Sequence, residues 1–443
     1  MAANVLRTLH AAEREERPRW IEYPARVSGL ELHGPMPDTG FDREQWLASL
    51  NGRYFALTPI LYRILEQADG VTSAEAIAAQ VACTLGQPLT VDDVRWLVEH
   101  RLAPAGLVRC PTAVASDPRP EPSRRKPLLS IRARVSLLRP EWIAPVTNLL
   151  QYLFWRPIVF LSLGLITVLH VWIYTAGSAA LGDASRLLFF EPRWILLVFA
   201  MELGASLFHE FGHAAAMRRA RCPHGPIGFG VYLIWPVFYT DVTPIYRLRR
   251  SKRLRVDLGG MYFHQLAALG FAGLYLVSGW PLWLLGVVIA DVQCLRQLNP
   301  FFRFDGYYIL ADLLGVPDPL SQIKPFLRSL RRRPTGQLQL RRTTRLLFAG
   351  YLAIVAVYFV LPYAIGLEYG DDIVRTVWTT GAGFGPAFAQ AWAQGDLLLL
   401  AAVSIQFVFW LLSVLGLMLF VWSAFSLTTA LVKRAWQAFT SHS

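Results

Sequence analysis

The stretch Trp194-Ile-Leu-Leu-Val-Phe-Ala-Met-Glu-Leu-Gly-Ala-Ser-Leu-Phe-His209-Glu210-Phe-Gly-His213 decides how the rest of this chain is read. It is almost wholly apolar and free of proline, so it predicts a helix over Trp194–Met217. That length suits a bilayer, which needs roughly 20 residues. Positions i and i+4 share one helix face, so His209 and His213 can reach a single metal ion. Glu210 stands beside them, where it can take a proton from a water on that ion. Polar groups at the end of a membrane-length helix are costly unless they bind or pair with something.

A catalytic zinc site needs a third protein ligand and an open position. The best candidate lies downstream, in Leu298-Asn299-Pro300-Phe301-Phe302-Arg303-Phe304-Asp305-Gly306-Tyr307-Tyr308. Pro300 and Gly306 break helical structure around Asp305 and can aim its carboxylate. His209-Glu210-x-x-His213 followed by this Asn-Pro…Asp-Gly sequence resembles the site-2 protease family of membrane-embedded zinc metallopeptidases. The resemblance covers roughly Trp194 to Leu314. It implies that Zn²⁺ is held by His209, His213 and Asp305 and that Glu210 is the catalytic base. The family commonly carries Gly-Pro-x-x-Asn on the next membrane helix. Gly259-Gly260-Met261-Tyr262-Phe263-His264 stands in that place here, with His264 where the asparagine is expected.

Composition agrees with a membrane setting. The chain has 443 residues, 54% of them hydrophobic, and a mean hydropathy of +0.36, which is too apolar for an ordinary soluble protein. The net charge of +12 could indicate nucleic acid. The arginines, however, gather between apolar segments, as in cytoplasmic loops, and no nucleic-acid partner is expected. Cys83, Cys110, Cys222 and Cys294 are scattered, which fits neither a disulfide framework nor a cysteine metal site. Residues 1–19 lack the apolar core of a signal peptide.

Six spans are predicted: Pro157–Ala176, Trp194–Met217, Gly260–Val277, Pro281–Leu298, Leu346–Ile365 and Leu397–Trp422. The basic runs Arg218–Arg221, Arg247–Arg255 and Lys324–Arg345 mark cytoplasmic loops. Thr175–Arg193 and the acidic stretch Glu368–Asp396 then lie outside, and both termini are cytoplasmic. His209 and Asp305 fall on the same, cytoplasmic side of what would be a bacterial cytoplasmic membrane.

Residues 1–40 read as an N-terminal extension that is partly extended or disordered. Residues 41–110 read as a small soluble α/β domain. Arg53–Leu57 alternates like a strand, and Pro59–Ala68 is a helix stopped by Gly70. Thr72 or Ser73 caps Ala74–Leu85, Thr90 caps Val91–His100, and Leu102–Val108 closes as a hairpin. This is a winged-helix order. The motifs Gly52-Arg53-Tyr54-Phe55-Ala56-Leu57-Thr58 and Ala68-Asp69-Gly70-Val71-Thr72 resemble peptide-recognition domains of modified-peptide pathways, the chaperone-D-like fold of pyrroloquinoline quinone biosynthesis. In that family a leader peptide adds as a strand to a sheet edge. A DNA-binding or purely structural winged helix is the alternative. Residues 111–140 form a basic linker, suited to the headgroup surface, and residues 141–443 form the transmembrane part.

Gly225–Thr243 is apolar, aromatic and broken by Gly and Pro. It reads as a β-hairpin or re-entrant segment whose strand edge could hold a substrate in extended form, or as a packed interfacial loop. Glu202, seven residues before His209, and Asp291, inside the fourth span, are candidates for active-site support, together with Asn299 and His264. Alternatively, Glu202 and Asp291 pair with Arg296, His264 or water. His170 reads as a packed or interfacial histidine.

The expected fold class is a mainly α membrane protein with about six transmembrane helices, a site-2-protease-like core and an N-terminal winged helix. The expected function is zinc-dependent endopeptidase action within a lipid bilayer, removing the leader of a ribosomally made, modified or bacteriocin-like peptide. Cleavage of a membrane-anchored regulator and a non-catalytic role in peptide export or immunity are the alternatives.

Overall fold

The computed structural model describes residues 18–41, 44–50, 53–109, 131–232, 234–299, 302–316, 318–331 and 340–440. Gly52, Cys110, Pro300 and most of the expected linker therefore lie outside the described residues. The chain divides into two compact units, the first built from residues 1–128, 243–253 and 313–344, the second from the rest.

The first unit holds a three-stranded antiparallel sheet in the order β1 (Glu31–Pro35), β2 (Trp46–Leu50), β3 (Arg53–Leu57). β3 falls where alternation predicts it. β1 comes from residues expected to be an irregular extension. Its Gly34 and Pro35 hide the strand pattern, and its register slips between Leu32 and Gly34. Helices α1 (Pro59–Gln67), α2 (Ala74–Leu85) and α3 (Val91–Leu97) follow. Ser73, not Thr72, caps α2, and Thr90 and Asp93 form a capping box on α3. Thr72 instead donates its hydroxyl to Asp69. Ala48, Ile64, Leu65, Ile77, Val94, Val98 and Leu107 close one core under this sheet. The expected hairpin over Leu102–Val108 does not form. A tight turn leads to Val108, which makes a single bridge with Arg26. Arg247, from the inserted 243–253 segment, pairs with Glu31 at 2.7 Å and lies over the Tyr54 ring.

The second unit opens with β4 (Ile131–Leu138), so the end of the expected linker is a strand. Then come α4 (Pro140–Leu150), α5 (Arg156–Tyr174), α6 (Ser178–Phe190) and α7 (Ile195–Arg219). β5 (Ile227–Tyr232) and β6 (Trp235–Thr240) make the predicted hairpin, and β4 joins it in the order β4-β5-β6. Next are α8 (Arg250–Asp257), in which the chain passes back from the first unit, α9 (Gly259–Ser278), α10 (Trp283–Gln297) and α11 (Asp305–Leu314). α12 (Pro319–Arg331) is followed by α13 (Arg342–Gln394) and α14 (Leu397–Thr440).

Among the described residues four helices are long and apolar enough to cross a membrane: Arg156–Tyr174, Pro192–Arg219, Gly259–Ser278 and Leu397–Ser423. Only 17% of the first and 11% of the last is buried within the protein. Phe160, Val168, Trp422 and Phe425 are each at least 65% exposed. Apolar area this continuous needs a cover, and lipid supplies one. The predicted fourth span is the 15-residue α10, about 22 Å long at 1.5 Å per residue and so shorter than a hydrocarbon core. The predicted fifth lies inside the 53-residue α13, which bends at Tyr369. Glu368, Asp371 and Asp372, expected in an outer loop, lie in that helix. The expected loop Thr175–Arg193 likewise contains α6.

α7 and α9 pack with their backbones touching. A Cβ built on Gly212 would stand 2.3 Å from the Gly259 carbonyl oxygen, so only glycine permits this approach.

Candidate metal centre

α7 supplies two histidines one turn apart. Their Nε2 atoms face each other at 3.1 Å. Asp305, the first residue of α11, brings Oδ2 to 3.1 Å from His209 Nε2 and 3.5 Å from His213 Nε2. Gly306 makes this position possible, because a Cβ there would lie 2.3 Å from the Leu298 carbonyl oxygen at the end of α10. Both rings are withdrawn from solvent, His209 at 2% and His213 at 7% exposed, and the Asp305 side chain is 16% exposed.

Each imidazole is held from behind. His213 Nδ1 lies 2.7 Å from the Val256 carbonyl oxygen. A carbonyl only accepts, so this nitrogen carries the proton and a neutral ring keeps its lone pair on Nε2. His209 Nδ1 lies 2.8 Å from His264 Nδ1. The two forward-facing nitrogens and the carboxylate oxygen thus converge on one point, within 4.8 Å of one another.

These atoms fit a zinc ion. Ligand atoms about 2.1 Å from a tetrahedral ion stand roughly 3.4 Å from each other, close to the separations found here. Asp305 Oδ2 is near both rings, yet it is buried without a properly aligned hydrogen bond. A cation among the three groups would satisfy it. The space in front of the ligands is kept clear by Gly260, whose Cβ would fall 2.4 Å from His209 Nε2 and 2.6 Å from His213 Nε2. Burial pushes the Asp305 carboxyl up, but the charge and hydrogen bonds that His213 and His209 offer when protonated outweigh it and hold the group below its ordinary range; a cation bound to the neutral rings would supply that charge in their place. Asp305 is therefore ionised and ready to ligate at neutral pH.

Glu210 is buried beside the triad, and its Oε2 accepts a hydrogen bond from Thr240 Oγ1 at 2.7 Å. Sequence reading did not find Thr240, since a threonine in an apolar hairpin gives no signal.

The four expected supporting residues separate. His264 meets the site through the back of the His209 ring, and its Nε2 is buried without a partner. Asn299 lies half-buried just beyond α10, with its amide N–H on the Arg296 carbonyl. Glu202 accepts from Ser206 on its own helix at 3.3 Å, and Arg296 is its opposite charge. Asp291 differs from expectation. It takes His170 at 2.8 Å and Gln265 at 3.0 Å on Oδ1, and Tyr174 at 2.7 Å on Oδ2. Packing of α5, α9 and α10 brings these groups together, so the protein partners of Asp291 are His170, Gln265 and Tyr174 in place of Arg296 or His264. His170 is the packed histidine foreseen, with a carboxylate as its partner.

A second acidic group escaped sequence reading. Asp257 is 7% exposed at the end of α8. Burial, and then the charges of Asp312 and Asp305, push its carboxyl well above the ordinary range. Asp312 lies seven residues after Asp305 and hence on nearly the same face of α11, a spacing that was available in the sequence.

No protein-family model matches this chain, and no solved structure does. Over 134 residues it is 26% identical to a Bacillus subtilis (strain 168) protein named "Putative peptide zinc metalloprotease protein YydH". The match covers 30% of this chain and 52% of that one, so the chain spans about half the length of the curated relative.

Proposed function

We propose that this chain is a membrane-embedded zinc endopeptidase of the site-2 protease type. The observation that carries the reading is the convergence of His209 Nε2, His213 Nε2 and Asp305 Oδ2, with the Glu210 carboxylate beside them. A metallopeptidase needs this division of labour: neutral imidazoles and a carboxylate to ligate, and one free carboxylate to move protons. The name printed for the B. subtilis relative points the same way.

Zinc held by these residues would bring the pKa of a water to about 7 and polarise a peptide carbonyl. Glu210 would take the proton from the attacking water. It then returns the proton to the leaving amine nitrogen, so the base ends each turnover ionised. Val256 and His264 fix the two imidazoles from behind. Gly260 leaves room for the reacting carbonyl.

A helical substrate hides its scissile carbonyl in backbone hydrogen bonds, so the peptide must be extended. β6 ends its sheet in the order β4-β5-β6, and its last residue, Thr240, touches Glu210. A strand laid along β6 would therefore run toward the base. In this reading the substrate is a precursor peptide whose leader pairs with an edge of the β1-β2-β3 sheet. The basic loops face the cytoplasm, as do both termini, and the zinc lies on the same side of a bacterial cytoplasmic membrane.

The test is a comparison of purified variants in detergent or liposomes. His209→Ala, His213→Ala and Asp305→Ala each lose bound zinc, whereas Glu210→Gln keeps zinc and loses cleavage. A Glu210→Gln strain accumulates the uncut precursor with its leader attached. Cleavage by Glu210→Gln at the wild-type rate would refute the proposal.

A further inference from the structure

Glu210 side chains are long and flexible, and a general base must be held within a fraction of an ångström of its working position. On α7 itself the one nearby hydroxyl, Ser206, is turned to Glu202, and the other neighbours of Glu210 are apolar or are metal-ligand candidates. Its fixed partner comes from elsewhere in the fold. Thr240 Oγ1 stands 2.7 Å from Glu210 Oε2 and 3.0 Å from the Glu210 backbone oxygen. A carboxylate and a carbonyl both only accept, so the hydroxyl donates, and the shorter contact marks the carboxylate as its main acceptor.

The mount for this hydroxyl is rigid. Thr240 is paired with Ile227 in the β5–β6 ladder, and Ile227 is completely buried. Just beyond the ladder, Gly225 N–H donates to the Asp241 carbonyl at 2.7 Å and Asp241 N–H to the Pro226 carbonyl at 3.1 Å. The hairpin is thereby tied shut on both sides of Thr240. A β-branched side chain on a strand also has few χ1 choices. The hydroxyl is therefore delivered to a fixed point by backbone hydrogen bonds.

We infer that Thr240 is the positioning residue of the catalytic base: it pins Oε2 of Glu210 and leaves Oε1 as the atom that exchanges protons with water and leaving group. The inference rests on the peptidase reading given above. It makes the β5–β6 hairpin part of the catalytic apparatus, because a strand that shifts by one residue would take the hydroxyl to the other face of the sheet.

The discriminating substitution is Thr240→Val, which keeps the branched shape and removes the donor. The probe is a single internally quenched peptide, chosen from a random-sequence library as the one wild-type protein cuts fastest. Thr240→Val lowers kcat roughly 10- to 100-fold, a fraction of the gain a general base provides, with KM within about twofold. Thr240→Ser restores most of kcat, and all three proteins carry equal zinc. A double-mutant cycle gives a readout independent of turnover. Thr240→Val lowers the thermal midpoint in the wild-type background and has a smaller effect when Glu210 is already alanine.

Wild-type kcat in Thr240→Val, or loss of zinc in parallel with activity, would overturn the positioning role. Thermal shifts that simply add in the cycle would do the same. If wild type does not cut, or Glu210→Gln cuts equally well, the peptidase reading itself falls, and this inference with it.

Discussion

Two clusters of histidine and carboxylate lie in the helical unit, and they differ in what is left over. In the cluster around Asp291, both carboxylate oxygens are taken, by His170 and Gln265 on one and Tyr174 on the other. It is an internal clamp between α5, α9 and α10. In the cluster around Asp305, Oδ2 is buried without an aligned partner and two imidazole nitrogens point at each other. The same residue types close on themselves in one place and hold a space open in the other. A buried polar group costs free energy until it is satisfied, which is why we propose the open cluster as the metal site.

The sharpest way to break this contrast is to neutralise each aspartate in turn. Asp305→Asn abolishes zinc binding and activity. Asp291→Asn keeps one zinc per chain and measurable activity, but lowers stability by about 1.5–3 kcal/mol, the usual range for hydrogen bonds to a charged group. Metal content by mass spectrometry and thermal unfolding in detergent read both arms. Retained zinc in Asp305→Asn, or lost zinc in Asp291→Asn, would show that the clusters have been assigned the wrong way round.

A milder test fills the open space without touching a ligand. Gly260→Ala places a methyl group against His209 and His213. Zinc affinity then falls roughly 10- to 100-fold, the range seen when groups that orient ligands are disturbed. Titration with a competing chelator measures it. Unchanged affinity would mean that the two rings can retreat from the position described.

The smallest effect belongs to the N-terminal unit, which carries none of the three metal-ligand candidates. Backbone N–H groups of Thr72 and Val71 hold the Asp69 carboxyl below its ordinary value of 3.8, and the Thr90 side chain does the same for Asp93. Both groups are more acidic folded than unfolded. Their contribution is present above the unfolded value and is lost as pH falls through the folded one. Thermal unfolding between pH 6 and pH 3 should therefore show a loss that is shallower in Asp69→Ala/Asp93→Ala. An identical slope in the double variant would dismiss these two carboxylates as acid-sensitive caps.

What the sequence disclosed follows from the reach of each interaction. His209 and His213 were legible because one helical turn joins them, and Asp305 because glycine marks its helix start. Thr90 announced its cap for the same local reason, and the cap of α2 was narrowed to Thr72 or Ser73. The Asp291 partners were not legible, since His170 lies 121 residues away and only helix packing joins them. Thr240 stands 30 residues from Glu210 and depends on hairpin register. β1 was hidden by its glycine and proline. Helix α13 runs through Glu368, Asp371 and Asp372, where charge alone had indicated a loop.

The central claim is that these three side chains are the ligands of one zinc ion. X-ray absorption at the zinc edge, on purified full-length protein and on Asp305→Ala, tests it most directly. The account predicts a wild-type shell of two imidazole nitrogens and a carboxylate oxygen at about 2.0–2.2 Å, with zinc lost from the variant. A sulfur ligand at about 2.3 Å, from a residue such as Cys222 or Cys294, or an unchanged spectrum in Asp305→Ala, would contradict it.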